Sequence, residues 1–148
     1  MQEKKILIAS DHGGFTLKET LKKYLQKTGY EVVDYGTNST ESVNYPDYAK
    51  LLTEGIKDHV ANQGILICSS GIGMSIAANR YPFIRAALVH YPEEAHLCRA
   101  HNDANVLVFG AKFITTEKAE QCIDEFLTTD FEEGRHCARV DALERMGQ

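Results

Sequence analysis

The sequence predicts an α/β protein of one domain covering residues 1–148, a doubly wound Rossmann-like three-layer sandwich with a five-stranded parallel sheet and a C-terminal helix. Short β-branched runs alternate with segments of helical spacing along nearly the whole chain, which is the pattern of successive βαβ units. The stretches that follow those runs are rich in glycine and small polar residues. No linker, repeat or low-complexity segment divides the 148 residues, enough for one core burying roughly 70% of the unfolded surface.

Each element has its own justification. "KILIAS" (Lys5–Ser10) reads as the first strand, and Phe15–Thr28 as an amphipathic helix with Leu17, Leu21, Tyr24 and Leu25 on one face and Gly29 as its cap. "EVVDY" is the second strand. A polar loop from Gly36 to Tyr45 leads to Pro46, which suits the first turn of a helix carrying Leu52, Ile56 and Val60 on one face. Gly64 begins the strand "GILIC", and a small-residue loop and short helix then run to Arg80. "AALV" (Ala86–Val89) is the fourth strand, Pro92–Ala100 a helix with Glu93 and Glu94 in its first turn, and "NVLVFG" the fifth strand. Thr116–Thr128 spaces Ala119, Cys122, Ile123, Phe126 and Leu127 as a helix, and Arg135–Met146 is the closing one.

Composition excludes several classes. The chain is 43% hydrophobic and 25% charged, with net charge −5, so nucleic acid and anionic membranes are not expected as main partners. The apolar run near the N-terminus has only five residues, too short for a secretory core, and the protein is expected in the cytoplasm. Cys68, Cys98, Cys122 and Cys137 lie far apart without a C-x-x-C pair, which argues for free thiols rather than disulfides or structural zinc.

Ligands of doubly wound sheets bind beyond the carboxyl ends of the strands. Two post-strand loops there carry chemistry. "SDHGGF" offers Asp11 and His12 beside two glycines, with Asp11 placed to orient the His12 ring. "CSSGIG" offers Cys68, Ser69 and Ser70 before Gly71, Ile72 and Gly73, whose N–H groups open a helix and can bind an anion. The third glycine of a dinucleotide fingerprint is absent, since Ile76 stands there, and the arginine of a phosphatase-type C-x5-R loop is replaced by Met74. A cysteine at the mouth of such an N–H nest can serve as a base, the helix start and a Ser69 or Ser70 hydroxyl favouring its thiolate, or it can simply finish a buried strand. His101 precedes Asn102 and Asp103 near a helix end. In "GRHCAR", Arg135 and Arg139 are four apart and can hold a phosphate in a fork, with His136 between them. No two histidines stand four apart beside a carboxylate, so no metal site is expected.

Taken together, "ASDHGGF", "GYEVVDYGT", "NYPDYA", "GILICSSGIGMSIAANR", "IRAALV", "AHNDANVLVFGAK" and "FEEGRHCARV" resemble the type B ribose-5-phosphate isomerase family, in order and in spacing across almost the whole chain. That resemblance implies interconversion of ribose 5-phosphate and ribulose 5-phosphate without cofactor or metal. It implies Cys68 as the base moving a proton between C1 and C2, and the loop Ser69–Gly73 as the site that stabilises the cis-enediolate. His101 matches the residue that opens the furanose ring, with Asp11 assisting, and His12, Asn102, Arg135 and Arg139 match substrate and phosphate contacts. Lys112 stands where many relatives carry arginine, keeping the charge and losing the planar fork. The family also implies an active site between two subunits, hence a homodimer or homotetramer. Isomerisation of six-carbon sugar phosphates, such as allose 6-phosphate or galactose 6-phosphate, and a non-catalytic sugar-phosphate or nucleotide-binding module are the other readings at this point.

Overall fold

The computed structural model describes residues 4–147, so the first residues of the N-terminal stretch lie outside the described part. The elements run β1 (Lys5–Ser10), α1 (Phe15–Lys27), β2 (Glu31–Asp34), α2 (Tyr45–Lys57), β3 (Gly64–Cys68), α3 (Ile72–Ala78), β4 (Ala86–Leu88), α4 (Pro92–Ala100), β5 (Val106–Gly110), α5 (Thr116–Thr128) and α6 (His136–Arg145). His12–Gly14 form one 3₁₀ turn before α1. All sheet pairings are parallel, in the order β2-β1-β3-β5-β4.

The two cores follow from strand alternation. Ile6, Ile8, Ile65, Ile67, Leu107 and Phe109 point to one face, where α1, α4 and α5 bury Leu21, Leu25, Cys98, Cys122, Ile123 and Phe126. Leu7, Ala9, Leu66, Cys68, Val106 and Val108 point to the other, against Leu52 and Ile56 of α2 and Met74 and Ala78 of α3. The helices of connections that move one way across the sheet, α1 and α4, share a face. Those moving the other way, α2 and α3, share the opposite face, as a single crossover handedness requires. β3, β1 and β5 are buried on both sides, which is why their sequences are continuous apolar runs rather than alternating ones.

Boundaries differ from the sequence reading at a few residues. Val60 lies beyond α2, because His59 takes a left-handed conformation (φ 59°) after Asp58 caps the helix; Val60 packs on the same core from the loop. The last helix is one residue shorter at each end than the predicted Arg135–Met146, and its only buried residues are His136 and Val140. Arg85, just before β4, holds its far end: the guanidinium pairs with Glu144 and also donates to the Asp103 carbonyl at 2.8 Å. Among the described residues no helix is long and apolar enough to cross a membrane.

Candidate active site

β1 leads towards β2 on one side and β3 lies on the other, so the sheet's order reverses beside the β1 and β3 carboxyl ends. At that crevice the loops after β1, β3 and β5 meet. Cys68 pairs in register with Gly110, and the Lys112 N–H donates to the Ser69 carbonyl at 2.9 Å, so Lys112 stands exposed beside the cysteine loop. Gly13 approaches the same loop so closely that a Cβ there would fall on Ser69 Oγ. A side chain at residue 13 would therefore displace the Ser69 hydroxyl.

Cys68 is 5% exposed, and its Sγ accepts the Gly71 N–H at 3.2 Å. Gly71 turns the chain with φ 79°, a conformation open to glycine at no steric cost, and this aims its N–H back at the sulphur. The serine hydroxyls expected to bond the thiol do not: Ser70 Oγ instead accepts the Ile72 N–H at 3.2 Å. The donor is the backbone, and charge on the sulphur strengthens such a bond.

Asp11 and His12 sit across the crevice, but not as a pair. The Asp11 carboxylate accepts the Gly14 N–H at 3.1 Å and caps the 3₁₀ turn, so it does not orient the histidine. The Val43 N–H does so instead, donating to His12 Nδ1 at 3.1 Å. A backbone amide only donates, so Nδ1 is the acceptor nitrogen and the ring proton sits on Nε2, free to donate to an anionic oxygen. Val43 lies in the loop 35–44, which is anchored by the Gly36 N–H donating to Asp34 Oδ1 at 2.8 Å.

The remaining predicted residues are elsewhere. His101 caps the C-terminal end of α4, which runs back against the strands; the Asn105 carbonyl, four residues on, accepts the Gly64 N–H at the amino edge of the sheet. His101 and Asn102 are thus separated from Cys68 by the length of β3, roughly 15 Å of extended chain. Arg135 and Arg139 are exposed at the start of α6 beside His101, because the His101 and His136 rings stack with centroids 4.3 Å apart and planes at 15°. A cavity of about 690 Å³ between the edge strand β4 and α6 reaches Asn102, and Cys68 is not among its lining residues. The thirteen expected residues therefore form two groups at opposite edges of one sheet: Asp11, His12, Cys68–Gly73 and Lys112, and His101, Asn102, Arg135 and Arg139.

Glu132 joins the second group and was not read from the sequence. Its N–H donates to the Ala100 carbonyl at 2.9 Å, which carries the carboxylate to 3.8 Å from His101 Nε2 and 3.5 Å from His136 Nε2. Its spacing of four from His136 was the available signal, obscured because residues 131–135 are not helical. Burial lowers the His136 pKa, and the neighbouring His101 and Arg135 act in the same direction against Glu132. The three donor atoms lie within 4.8 Å of one another, a zinc-like set. However, nearly parallel rings cannot aim both lone pairs at one ion, and two arginines add positive charge beside them, so the arrangement suits an anion and a proton better than a metal.

A family model described as Ribose/Galactose Isomerase matches residues 6–143. Ribose-5-phosphate isomerase B of Escherichia coli (strain K12) is 42% identical over 145 residues, covering 98% of this chain and 97% of that protein. A solved ribose 5-phosphate isomerase of Thermotoga maritima has a TM-score of 0.96 at 50% identity, covering 98% of this chain and all of its own. Ribose-5-phosphate isomerase B of Mycoplasma genitalium, solved with bound ribulose 5-phosphate, has a TM-score of 0.91 at 40% identity, covering 95% of this chain and 94% of its own.

Proposed function

The chain belongs to the Ribose/Galactose Isomerase family, and on that premise we propose that it interconverts ribose 5-phosphate and ribulose 5-phosphate, as one domain, in the cytoplasm. The observation that carries the mechanism is Cys68 Sγ held by the Gly71 N–H at the mouth of the Ser69–Gly73 loop, on the crevice where a doubly wound sheet binds ligands. The carbon proton next to a carbonyl is very weakly acidic. A base removes it only if donors face the oxygen where negative charge develops, each worth about 3 kcal/mol. Cys68 takes the proton from C2 of the aldose, the N–H groups of the loop stabilise the cis-enediolate while the O2 proton passes to O1, and the carbon proton returns at C1. The reaction is redox-neutral, so a base and oxyanion donors suffice.

Cyclic ribose 5-phosphate has no carbonyl and must first open. His101 takes the proton of the anomeric hydroxyl and passes one to the ring oxygen as the C1–O bond breaks, with Asp11 and Asn102 on sugar hydroxyls. His12, through Nε2–H, and Arg135, Arg139 and Lys112 hold the phosphate. Because His101 and Cys68 stand at opposite edges of one sheet, one chain cannot bring both to one sugar. Two copies complete the site, each supplying the carboxyl edge of one active site and the amino edge of the other, in a homodimer or a homotetramer built from such dimers. Ile72 and Ile76 of α3, both more than half exposed beside the Cys68 loop, support a covering partner there. Both halves are encoded on this one chain, which supports a self-sufficient homomer and a pentose substrate.

The test is direct. Purified protein is incubated with ribose 5-phosphate and, separately, with allose 6-phosphate, and ketose formation is followed. Turnover of the pentose with little of the hexose is expected. Preference for the hexose overturns the substrate assignment, and binding of both without turnover overturns the enzymatic reading.

A further inference from the structure

The His136 ring and the Glu132 carboxylate are the two groups beside His101 to which the reaction above gives no task. His136 is buried and His101 is not, yet the two rings lie nearly parallel at 4.3 Å. The imidazole χ2 torsion is broad and nearly two-fold, so a partly exposed histidine samples several ring directions unless something stops it. Here a buried ring lies flat against it. The backbone bond from the Glu132 N–H to the Ala100 carbonyl, one residue before His101, places the Glu132 main chain beside the pair, and its carboxylate lies within ion-pair reach of both Nε2 atoms.

From this arrangement we infer that Glu132 and His136 are positioning residues for His101: His136 fixes the plane of the ring that opens the sugar, and Glu132 stabilises its imidazolium. The inference rests on the ring-opening role given to His101. During opening His101 carries the proton lifted from the anomeric hydroxyl until the ring oxygen takes it. A second imidazolium stacked on it would repel that charge. The surroundings of His136, namely burial, His101 and Arg135, all disfavour its charged form, so the ring that supports His101 stays neutral while His101 cycles. The groups facing the pair are Glu132, Arg135 and Arg139, and of these the carboxylate alone favours a proton on it.

The experiment compares His101→Asn, His136→Asn, Glu132→Gln and the double variant His101→Asn/His136→Asn on two substrates. One is ribose 5-phosphate; the other is an aldopentose 5-phosphate lacking the 4-hydroxyl, which cannot close a furanose. Glu132 is exposed, so Glu132→Gln is expected to fold even if His136→Asn does not. His101→Asn is expected to lose at least about a hundredfold in kcat on ribose 5-phosphate, the range of general acid–base catalysis, and His136→Asn and Glu132→Gln about tenfold each, with KM and turnover of the open substrate changed less than twofold in all three. In the His101→Asn background, His136→Asn is expected to add nothing, since residues acting through one another are not additive. Equal losses on both substrates with Glu132→Gln, or full additivity in the double variant, overturn the positioning role. If His101→Asn itself slows the open substrate as much as the cyclic one, it is the ring-opening assignment that fails, while non-additivity in the double variant still reports that His136 acts through His101.

Discussion

At the scale of single residues, the three buried cysteines separate by environment rather than by sequence. Cys98 and Cys122 face the core of α4 and α5, and burial pushes their thiols up to about 11 and about 12. They therefore stay protonated at pH 8.5, and iodoacetamide mapping of the folded protein is expected to leave both unlabelled. Labelling at either would mean that α4 or α5 opens readily. Cys68 is buried as they are, but it ends β3, and its sulphur accepts a backbone N–H, whereas the Cys98 thiol donates to the Ala95 carbonyl at 3.1 Å. Cys68→Ser keeps the shape and removes a sufficiently acidic conjugate acid, so kcat is expected to fall by at least about a hundredfold with KM little changed. Near-normal kcat in that variant removes the base assignment.

At the scale of elements, two devices hold the site in place. The first joins α1 to β2: Lys18, fully buried, donates to Asp34 Oδ2 at 2.6 Å and to Glu19 at 2.8 Å, and Asp34 in turn holds Gly36 at the head of the loop that reaches His12. Burial raises the Asp34 pKa, but hydrogen bonds from Lys18, Gly36 and Lys22 outweigh it and the net shift is downward. A carboxylate depressed on folding contributes stability above its unfolded pKa, and the contribution is lost as pH falls through the folded value. Asp34→Asn takes from the buried Lys18 ammonium its shorter carboxylate contact and leaves it the more exposed Glu19, and is expected to cost about 2–3 kcal/mol in urea unfolding at pH 7, with the gap to wild type closing in acid. Adding Lys18→Met should recover much of the loss; equal stability of Asp34→Asn and wild type at pH 7 contradicts the argument. The second device is the start of α6, where Arg135 stands exposed at the N-cap and Arg139 exposed in the first turn. A charge-assisted bond to phosphate contributes about 1.5–3 kcal/mol, so alanine at either is expected to raise KM roughly tenfold or more, with some loss of kcat, because phosphate binding also positions the sugar. Arg145→Ala, at the far end of α6, should change little. Unaltered KM and undiminished inhibition by inorganic phosphate in the first two variants would leave them as a solvated helix face.

At the scale of the whole molecule, the decisive feature is that the candidate site residues lie at both edges of one sheet. If two copies share each site, Cys68→Ser and His101→Asn proteins, each inactive alone, regain activity when unfolded, mixed and refolded together. Half of randomly mixed dimers are mixed, and each contains one intact site of two, so recovery of about a quarter of wild-type activity is expected. No recovery, with mixed dimers demonstrated by mass, would place the site within one chain. The sequence by itself determined the parallel α/β architecture, because buried strands and amphipathic helices are written as local periodicities, and it marked Asp11, His12, Cys68 and the glycines of their loops, because post-strand loops gather at one edge of such a sheet. The tertiary structure decided what depends on contacts between distant segments. It gave His12 to Val43 rather than to Asp11, gave the Cys68 sulphur to a backbone N–H rather than to a serine, and brought Glu132 and His136 to His101 across thirty residues of chain. Above all it set His101, Arg135 and Arg139 a strand's length from Cys68. A helix that returns antiparallel to its strands delivers its last residue to the opposite edge, and no local pattern reports which edges face the same substrate.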